Sequence, residues 1–187
     1  LAEWVGRIGV ALQPLSDRLA EILKQGRVLH ADETPVPLLD PGKGKTKRAY
    51  LWAYRNNTLE DQPAIIVFDF QTGRSGSHAR AFLRDWQGHL MVDDYAGYKA
   101  LFALGITELA CLAHARRKFF DLHAANGHPI ANEALSRIAK LYHIEAEGKG
   151  DSIEQRQQRR ATQALPELKA MHAWLIHTRQ QNADGSS

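Results

Sequence analysis

Two short apolar runs in this 187-residue chain each stop at a pair of acids. RVLHA runs into Asp32 and Glu33, and HLMV runs into Asp93 and Asp94. Burying a charge is costly unless it is paired or holds a metal. Acids at the end of a buried strand therefore either turn outward, at a turn where Asp is common, or hold something there. If both strands are central and neighbouring, their ends set carboxylates side by side. Like charges that close repel each other. A divalent cation removes the conflict, and hard oxygen ligands suit Mg²⁺ or Mn²⁺. Spacing alone leaves both readings standing.

The rest of the chain fixes what could surround such strands. Hydrophobic residues make up 44%, enough for one sizeable core with a small appendage. Residues 1–25 place Val5, Ile8, Leu12, Leu15, Leu19, Ile22 and Leu23 at helical spacing. Pro14 is expected to break that helix in two, and Gly26 to end it. A β-rich block follows: RVLHA, the proline-interrupted PVPLLD, the turn PGKGKTK, and the aromatic strand 48–56. The run AIIVFDF, 64–70, is continuously apolar and reads as a central strand. SHARAFLRDW, 77–86, reads as a short helix, KALFALG as helix-like, and ITELACLA, 106–113, as a further short strand. HARRKFFDLHAA opens a helix, and helical patterns continue to the end, with Leu135, Ile138, Leu141 and Tyr142 as one apolar repeat. This order predicts an α/β fold with a mixed sheet.

Lys and Arg outnumber Asp and Glu by 24 to 21, with a pI near 9.1, so position matters more than net charge. Basic residues gather at 43–48 (KGKTKR), 116–118 (RRK) and 156–160 (RQQRR). Each is a solvated surface or a phosphate contact. A single cysteine, Cys111, rules out an internal disulfide and fits a reducing compartment. No apolar run approaches the roughly 18 residues of a membrane helix, and no signal peptide is visible. The chain starts at Leu1 inside a helical pattern and ends in ADGSS, so it is expected to be a fragment of a longer protein.

VLHADETPV, MVDDYAGY and CLAHARRKFFDL, taken in that order, resemble the transposases of the insertion sequence 66 family. ANEALSRIAKLYHIEAE resembles that family's helical segment, so the likeness runs from about residue 27 to the end. The resemblance implies a DDE transposase with an RNase H-like mixed sheet flanked by helices and a C-terminal helical insertion. It implies three segments: a helical lead-in, 1–25; a partial catalytic core, 26–128; and a truncated insertion, 129–187. Asp32 would be the first catalytic acid and metal ligand. Asp93 would be the second, because Val92, Tyr95, Gly97 and Tyr98 fix the alignment; Asp94 stands where the family often has glycine or alanine.

Glu33 matches a motif residue and is assigned no ligand role. The family's glutamate lies in a segment resembling D-N-N-x-x-E, which nothing here matches. Glu133, Glu145, Glu147 and Glu154 read as helix-surface acids, so the third acid is expected beyond Ser187. The resemblance further implies Mg²⁺ or Mn²⁺ as cofactor, transposon-end and target DNA as partners, a homo-oligomer on that DNA, no membrane, and a bacterial cytoplasm with the chain on the nucleoid. The expected DNA contacts are Lys43, Lys45, Lys47 and Arg48 at a hairpin tip, and His114, Arg116, Arg117 and Lys118 at a helix start, where the helix end adds attraction for phosphate. A non-catalytic DNA-binding or assembly remnant, and a nuclease of the same fold, are the alternatives.

Two other motifs fail on their chemistry. Cys111 and His114 form C-x-x-H, but a structural zinc site needs four ligands and there is no second cysteine. GKGKTK lacks the glycine of a phosphate-binding loop, with Leu39 in its place, and a strand follows it where a helix is required. Trp52, Trp86 and Trp174 are expected in the core, and Trp4 at a helix contact.

Overall fold

The computed structural model describes residues 2–57 and 63–183. Its contacts divide the chain into two compact units, Leu1–Cys111 and Leu112–Ser187.

The first unit is a five-stranded mixed sheet with helices. Helix α1 (Ala2–Leu23) leads into β1 (Val28–Asp40), β2 (Lys45–Asn56) and β3 (Ile66–Gln71). Then come α2 (Gly76–Phe82), β4 (His89–Val92), a 3₁₀ turn (Ala96–Tyr98), α3 (Lys99–Phe102) and β5 (Thr107–Ala110). The strand order is β3-β2-β1-β4-β5. The first three strands form an antiparallel meander, and β4 and β5 join β1 in parallel. This is the mixed sheet of the α/β fold that the order of elements predicts.

One face of the sheet carries the core. Leu29 and Ala31 of β1 share it with Trp52 and Tyr54 of β2, Val67 of β3, and Leu90 and Val92 of β4. Strand alternation puts these residues on one side. Leu19, Ala20, Ile22 and Leu23 of α1, Ala79 of α2, Leu83, Trp86, Tyr98, Leu101 and Ile106 cover them. Trp86 donates its indole N–H to the Gly26 carbonyl at 3.0 Å, which fixes the turn where α1 passes into β1. Buried Asn56 ties β2 to the approach of β3. Its Oδ1 accepts from Ile65 N–H and its Nδ2 donates to Pro63 C=O, both at 2.8 Å.

Several expectations need correction. α1 runs through Pro14 without a break. The proline removes the N–H that Val10 C=O would accept, but that turn is exposed, so water replaces the bond. Trp4 is exposed, not at a helix contact. β3 is an edge strand, not a central one. Its apolar run implied two covered faces, yet Ile66, Phe68 and Phe70 are 51%, 58% and 49% exposed. The strand expected over 106–113 spans only Thr107–Ala110, and half-buried Cys111 follows it.

Strands β1 and β2 pair far beyond the sheet. β1 meets β4 only from Val28 to His30, and β3 meets β2 only from Tyr50 to Arg55, whereas the β1–β2 ladder continues to Asp40 and Lys45. Val36–Asp40 and Lys45–Ala49 thus form a two-stranded arm. Pro35 and Pro37 sit two apart in this ladder, opposite Tyr50 and Arg48. Proline has no N–H to donate, so both missing donors lie on the edge away from β2 and discourage a further strand there.

The second unit is helical: α4 (Leu112–Asn126), α5 (Pro129–Glu147), α6 (Ile153–Arg159) and α7 (Leu165–Ala183), with a π turn at Arg160–Ala164. Its core joins Ile138, Leu141 and Ile144 to Ala164 and Met171, with Leu112 and Phe119 against them. The buried stripe of α5 begins at Ala131 and Ala134, so Tyr142, expected in the apolar repeat, is exposed. Trp174, expected in the core, is half-buried with the Arg137 guanidinium 5.1 Å from its ring centre. A Ser152–Gln155 capping box starts α6. Asp151 is held by Arg159, and Glu145 by Arg160, at 2.7 Å and 2.6 Å.

Candidate functional site

Strand register sets the geometry of the first two acids. Val28, Leu29 and His30 pair with His89, Leu90 and Met91, an offset of 61 positions (89 minus 28). Continued two residues past the last paired position, the same offset would bring Asp93 level with Asp32. Leu29 and Leu90 point into the core, so alternation sends His30, Asp32, Met91 and Asp93 to the opposite face. Asp93 stands one residue past the end of β4, where its chain leaves β1 while β1 continues into the arm. The strand order also reverses here, with β2 on one side of β1 and β4 on the other. In open α/β sheets, ligands bind outside the carboxyl ends of strands at such a switch point.

Each carboxylate is oriented by a backbone N–H. Asp32 Oδ1 accepts from Glu33 N–H at 3.0 Å, and Asp93 Oδ1 accepts from Tyr95 N–H at 2.9 Å. Among the described residues neither side chain forms an ion pair. Asp94 does: it is 77% exposed and meets Lys99 Nζ at 3.3 Å. Lys99 is shared with Glu108 at 2.8 Å, and that hydrogen bond, ahead of the one to Asp94, raises the Lys99 pKa. Of the two adjacent acids, Asp93 is the one without an ion pair among the described residues.

Glu33 points the other way. Its side chain is 1% exposed, and both oxygens are engaged. Arg74 Nε and Nη2 donate to Oε1 at 3.0 and 2.5 Å, and the Tyr98 hydroxyl donates to Oε2 at 2.7 Å. Burial first, and then this bond, push the Tyr98 phenol far above its ordinary pKa, so it stays a neutral donor. The hydrogen bond to Glu33 raises the Arg74 pKa. Sequence reading passed over Arg74, a lone arginine in a glycine-serine loop. Its only sequence signal is the buried acid it needs, far along the chain. On the open face His30 lies opposite Arg55, and burial, then that charge, lower its pKa.

Two glycines let this corner close. A Cβ on Gly76 would strike the Gly97 carbonyl, and one on Gly97 would strike the Tyr95 ring. The start of α2 and the turn after Asp93 therefore touch backbone to backbone.

The Transposase IS66 family matches this chain over residues 1–187. The chain belongs to that family. The uncharacterized protein y4qI of Sinorhizobium fredii (strain NBRC 101917 / NGR234) is 35% identical over 80% of this chain and 30% of its own length. The uncharacterized protein y4jD of the same strain is 35% identical over 94% of this chain and 36% of its own length. The IS66-family chain thus spans about a third of these relatives. A simian T-cell lymphotropic virus intasome in complex with PP2A regulatory subunit B56 gamma is 15% identical, with a TM-score of 0.32, over 59% of this chain and 46% of that one. That likeness is too remote to bear on function.

The remaining expected residues of this IS66-family chain fall in two places. Lys43 lies in the turn of the β1–β2 arm, and Lys45, Lys47 and Arg48 follow on β2, all exposed. Gly42 and Gly44 supply the positive φ angles, 84° and 62°, of that turn. His114, Arg116, Arg117 and Lys118 occupy the first two turns of α4 in the second unit. The two arginines and the lysine are exposed, whereas His114 is half-buried. The candidate third acids are all engaged: Glu133 with Arg137, Glu145 with Arg160, Glu147 with His143 and Arg159, and Glu154 with the Ser152 hydroxyl. Among the described residues no group of three or more His, Cys, Asp or Glu gathers to hold a metal ion, and no helix is long and apolar enough to cross a membrane.

Proposed function

We propose that this chain carries part of the catalytic core of a DDE-type transposase, acting on DNA in the bacterial cytoplasm as a homo-oligomer. The parallel pairing of β1 with β4, with Asp32 inside β1 two residues past the last paired position and Asp93 just past the end of β4, carries this reading. Two hard carboxylates without salt-bridge partners among the described residues fit Mg²⁺ or Mn²⁺. Magnesium is typically held by one or two carboxylates plus water and substrate phosphates, so the pair fits without a third ligand from the described residues. Asp32 and Asp93 would hold the ions. When bound, such ions lower the pKa of an attacking water or hydroxyl and offset the charge that develops on the phosphate.

The chemistry is two displacements at phosphorus. Water attacks the phosphodiester at the transposon end, the P–O3′ bond breaks, and the 3′-oxygen leaves as a hydroxyl after gaining a proton. That hydroxyl then attacks a phosphodiester of target DNA and displaces the next 3′-oxygen. Strand-transfer assays on the full-length protein test the reading. DNA joined to target supports transposition. Nicks alone favour a nuclease, and retained DNA without nicks favours a binding or assembly module.

Lys43, Lys45, Lys47 and Arg48 on the arm, and Arg116, Arg117 and Lys118 on α4, would supply contacts to phosphate, with His114 beside them. Such contacts release counterions, so affinity falls with salt. The triple variant Lys43→Gln, Lys45→Gln, Lys47→Gln is expected to reduce the slope of log affinity against log salt by about 3, roughly one unit per lost contact. Filter binding between low and moderate salt reads this directly. An unchanged slope would take the arm off the DNA.

A further inference from the structure

Asp32 lies within β1 and Asp93 one residue past the end of β4. What fixes one relative to the other runs through the opposite side of the sheet. Glu33, joined to Asp32 by a peptide bond, receives both Arg74 Nε and Nη2 on Oε1. The Arg74 guanidinium lies 4.0 Å from the centre of the Tyr95 ring. The Tyr95 hydroxyl donates to the Arg74 carbonyl. Tyr95 N–H in turn donates to Asp93 Oδ1 at 2.9 Å. The chain of contacts runs from Asp32 to Asp93 through three residues, Glu33, Arg74 and Tyr95, and Tyr98, edge-on to Trp52, braces it by donating to Glu33.

We infer that Arg74 is a positioning residue: clamped by buried Glu33 and stacked on Tyr95, it fixes the Asp93 carboxylate relative to Asp32 and so sets the site's affinity for a divalent cation. This rests on the reading of Asp32 and Asp93 as the cation-holding pair. The guanidinium suits the task because its planar fork meets the carboxylate through two N–H groups while its face lies on an aromatic ring. A lysine would keep the charge but lose the fork. Sites of this kind tolerate only about 0.5 Å of misplacement, and losing a residue that orients a metal ligand typically costs 10–100-fold in metal affinity.

Titration of the full-length protein with Mn²⁺, following the electron paramagnetic resonance signal of the unbound ion, tests this without any turnover. Circular dichroism reports whether each variant is folded. The native protein is expected to bind Mn²⁺, and Asp32→Asn to lose that binding. Arg74→Gln is expected to fold and bind about tenfold more weakly, with Arg74→Lys recovering part of the loss. A role in folding alone would leave the affinity of the folded variant unmoved.

Native affinity in folded Arg74→Gln, with binding lost in Asp32→Asn, overturns the positioning role and leaves the carboxylate pair intact. If Arg74→Gln fails to fold, Arg74→Lys decides, because it keeps the charge but loses the fork that meets Glu33. Weaker Mn²⁺ binding in Arg74→Lys supports the role, and native affinity there refutes it. No binding by the native protein, or full binding by Asp32→Asn, removes the pair itself and the positioning role with it.

Discussion

Asp32→Asn and Asp93→Asn, made separately in the full-length protein, are each expected to abolish strand cleavage while leaving DNA binding near native. Asparagine keeps the shape of the side chain and its acceptor oxygen. Asp32 can still receive the Glu33 N–H, and Asp93 the Tyr95 N–H. What disappears is the negative charge that a hard cation needs. Charge stabilisation by such an ion contributes several kcal/mol. At one factor of ten per 1.36 kcal/mol, the rate is expected to fall by roughly 10³-fold or more. Cleavage of a labelled transposon-end duplex measures this, with filter binding on the same preparations. Asp94→Asn is the matched control, because Asp94 is turned to solvent and pairs with Lys99. Full cleavage by either principal variant would take that residue out of the site.

The largest expected effect on stability is at Trp52. It is fully buried in the middle of β2, with Tyr98, His78 and Tyr95 at ring-centre distances of 5.8, 6.0 and 6.5 Å. Its indole N–H has no hydrogen-bond partner among the described residues, so truncation removes packing and leaves no acceptor stranded. Trp52→Ala is expected to cost about 3–5 kcal/mol, the usual range for emptying such a site. That is a large part of the roughly 5–15 kcal/mol by which a domain is stable. Urea unfolding monitored by circular dichroism reads the shift in midpoint. Trp52→Phe fills most of the space and is expected to cost much less. A loss below about 1 kcal/mol in Trp52→Ala would mean that the neighbouring rings collapse into the gap.

How much of this was legible follows from which forces are local. The acids at 32 and 93 could be read because each ends an apolar run, and the ordered motifs around them placed the chain in its family. The choice between Asp93 and Asp94 was not visible as chemistry, since two adjacent aspartates look alike. In the structure they differ: Asp94 pairs with Lys99, whereas Asp93 accepts the Tyr95 N–H. Glu33 was given no ligand role, and in the structure its carboxylate is buried against Arg74 and Tyr98. Its buried pairing with Arg74 carried no signal, because neither a loop arginine nor a strand glutamate has a periodicity that announces a partner.

The apolar run of β3 misled for a physical reason. Hydrophobicity reports how much a segment gains from burial, but strand order decides which faces are covered. Here Val67 faces the core while Ile66, Phe68 and Phe70 do not. Pro14 misled in the opposite sense, because an exposed turn can give up one backbone hydrogen bond to water. The arm formed by β1 and β2 was only half legible: its turn residues were clear, and the prolines read as interruptions of a strand that in fact continues through them.

Asp32 and Asp93 are proposed to grip a divalent cation together. Crystals of the full-length protein soaked in Mn²⁺, with diffraction recorded near the manganese edge, test it most directly. The parallel pairing of β1 and β4 predicts an anomalous peak bonded to oxygens of both carboxylates. A peak elsewhere, or two carboxylates too far apart to share an ion, would contradict it.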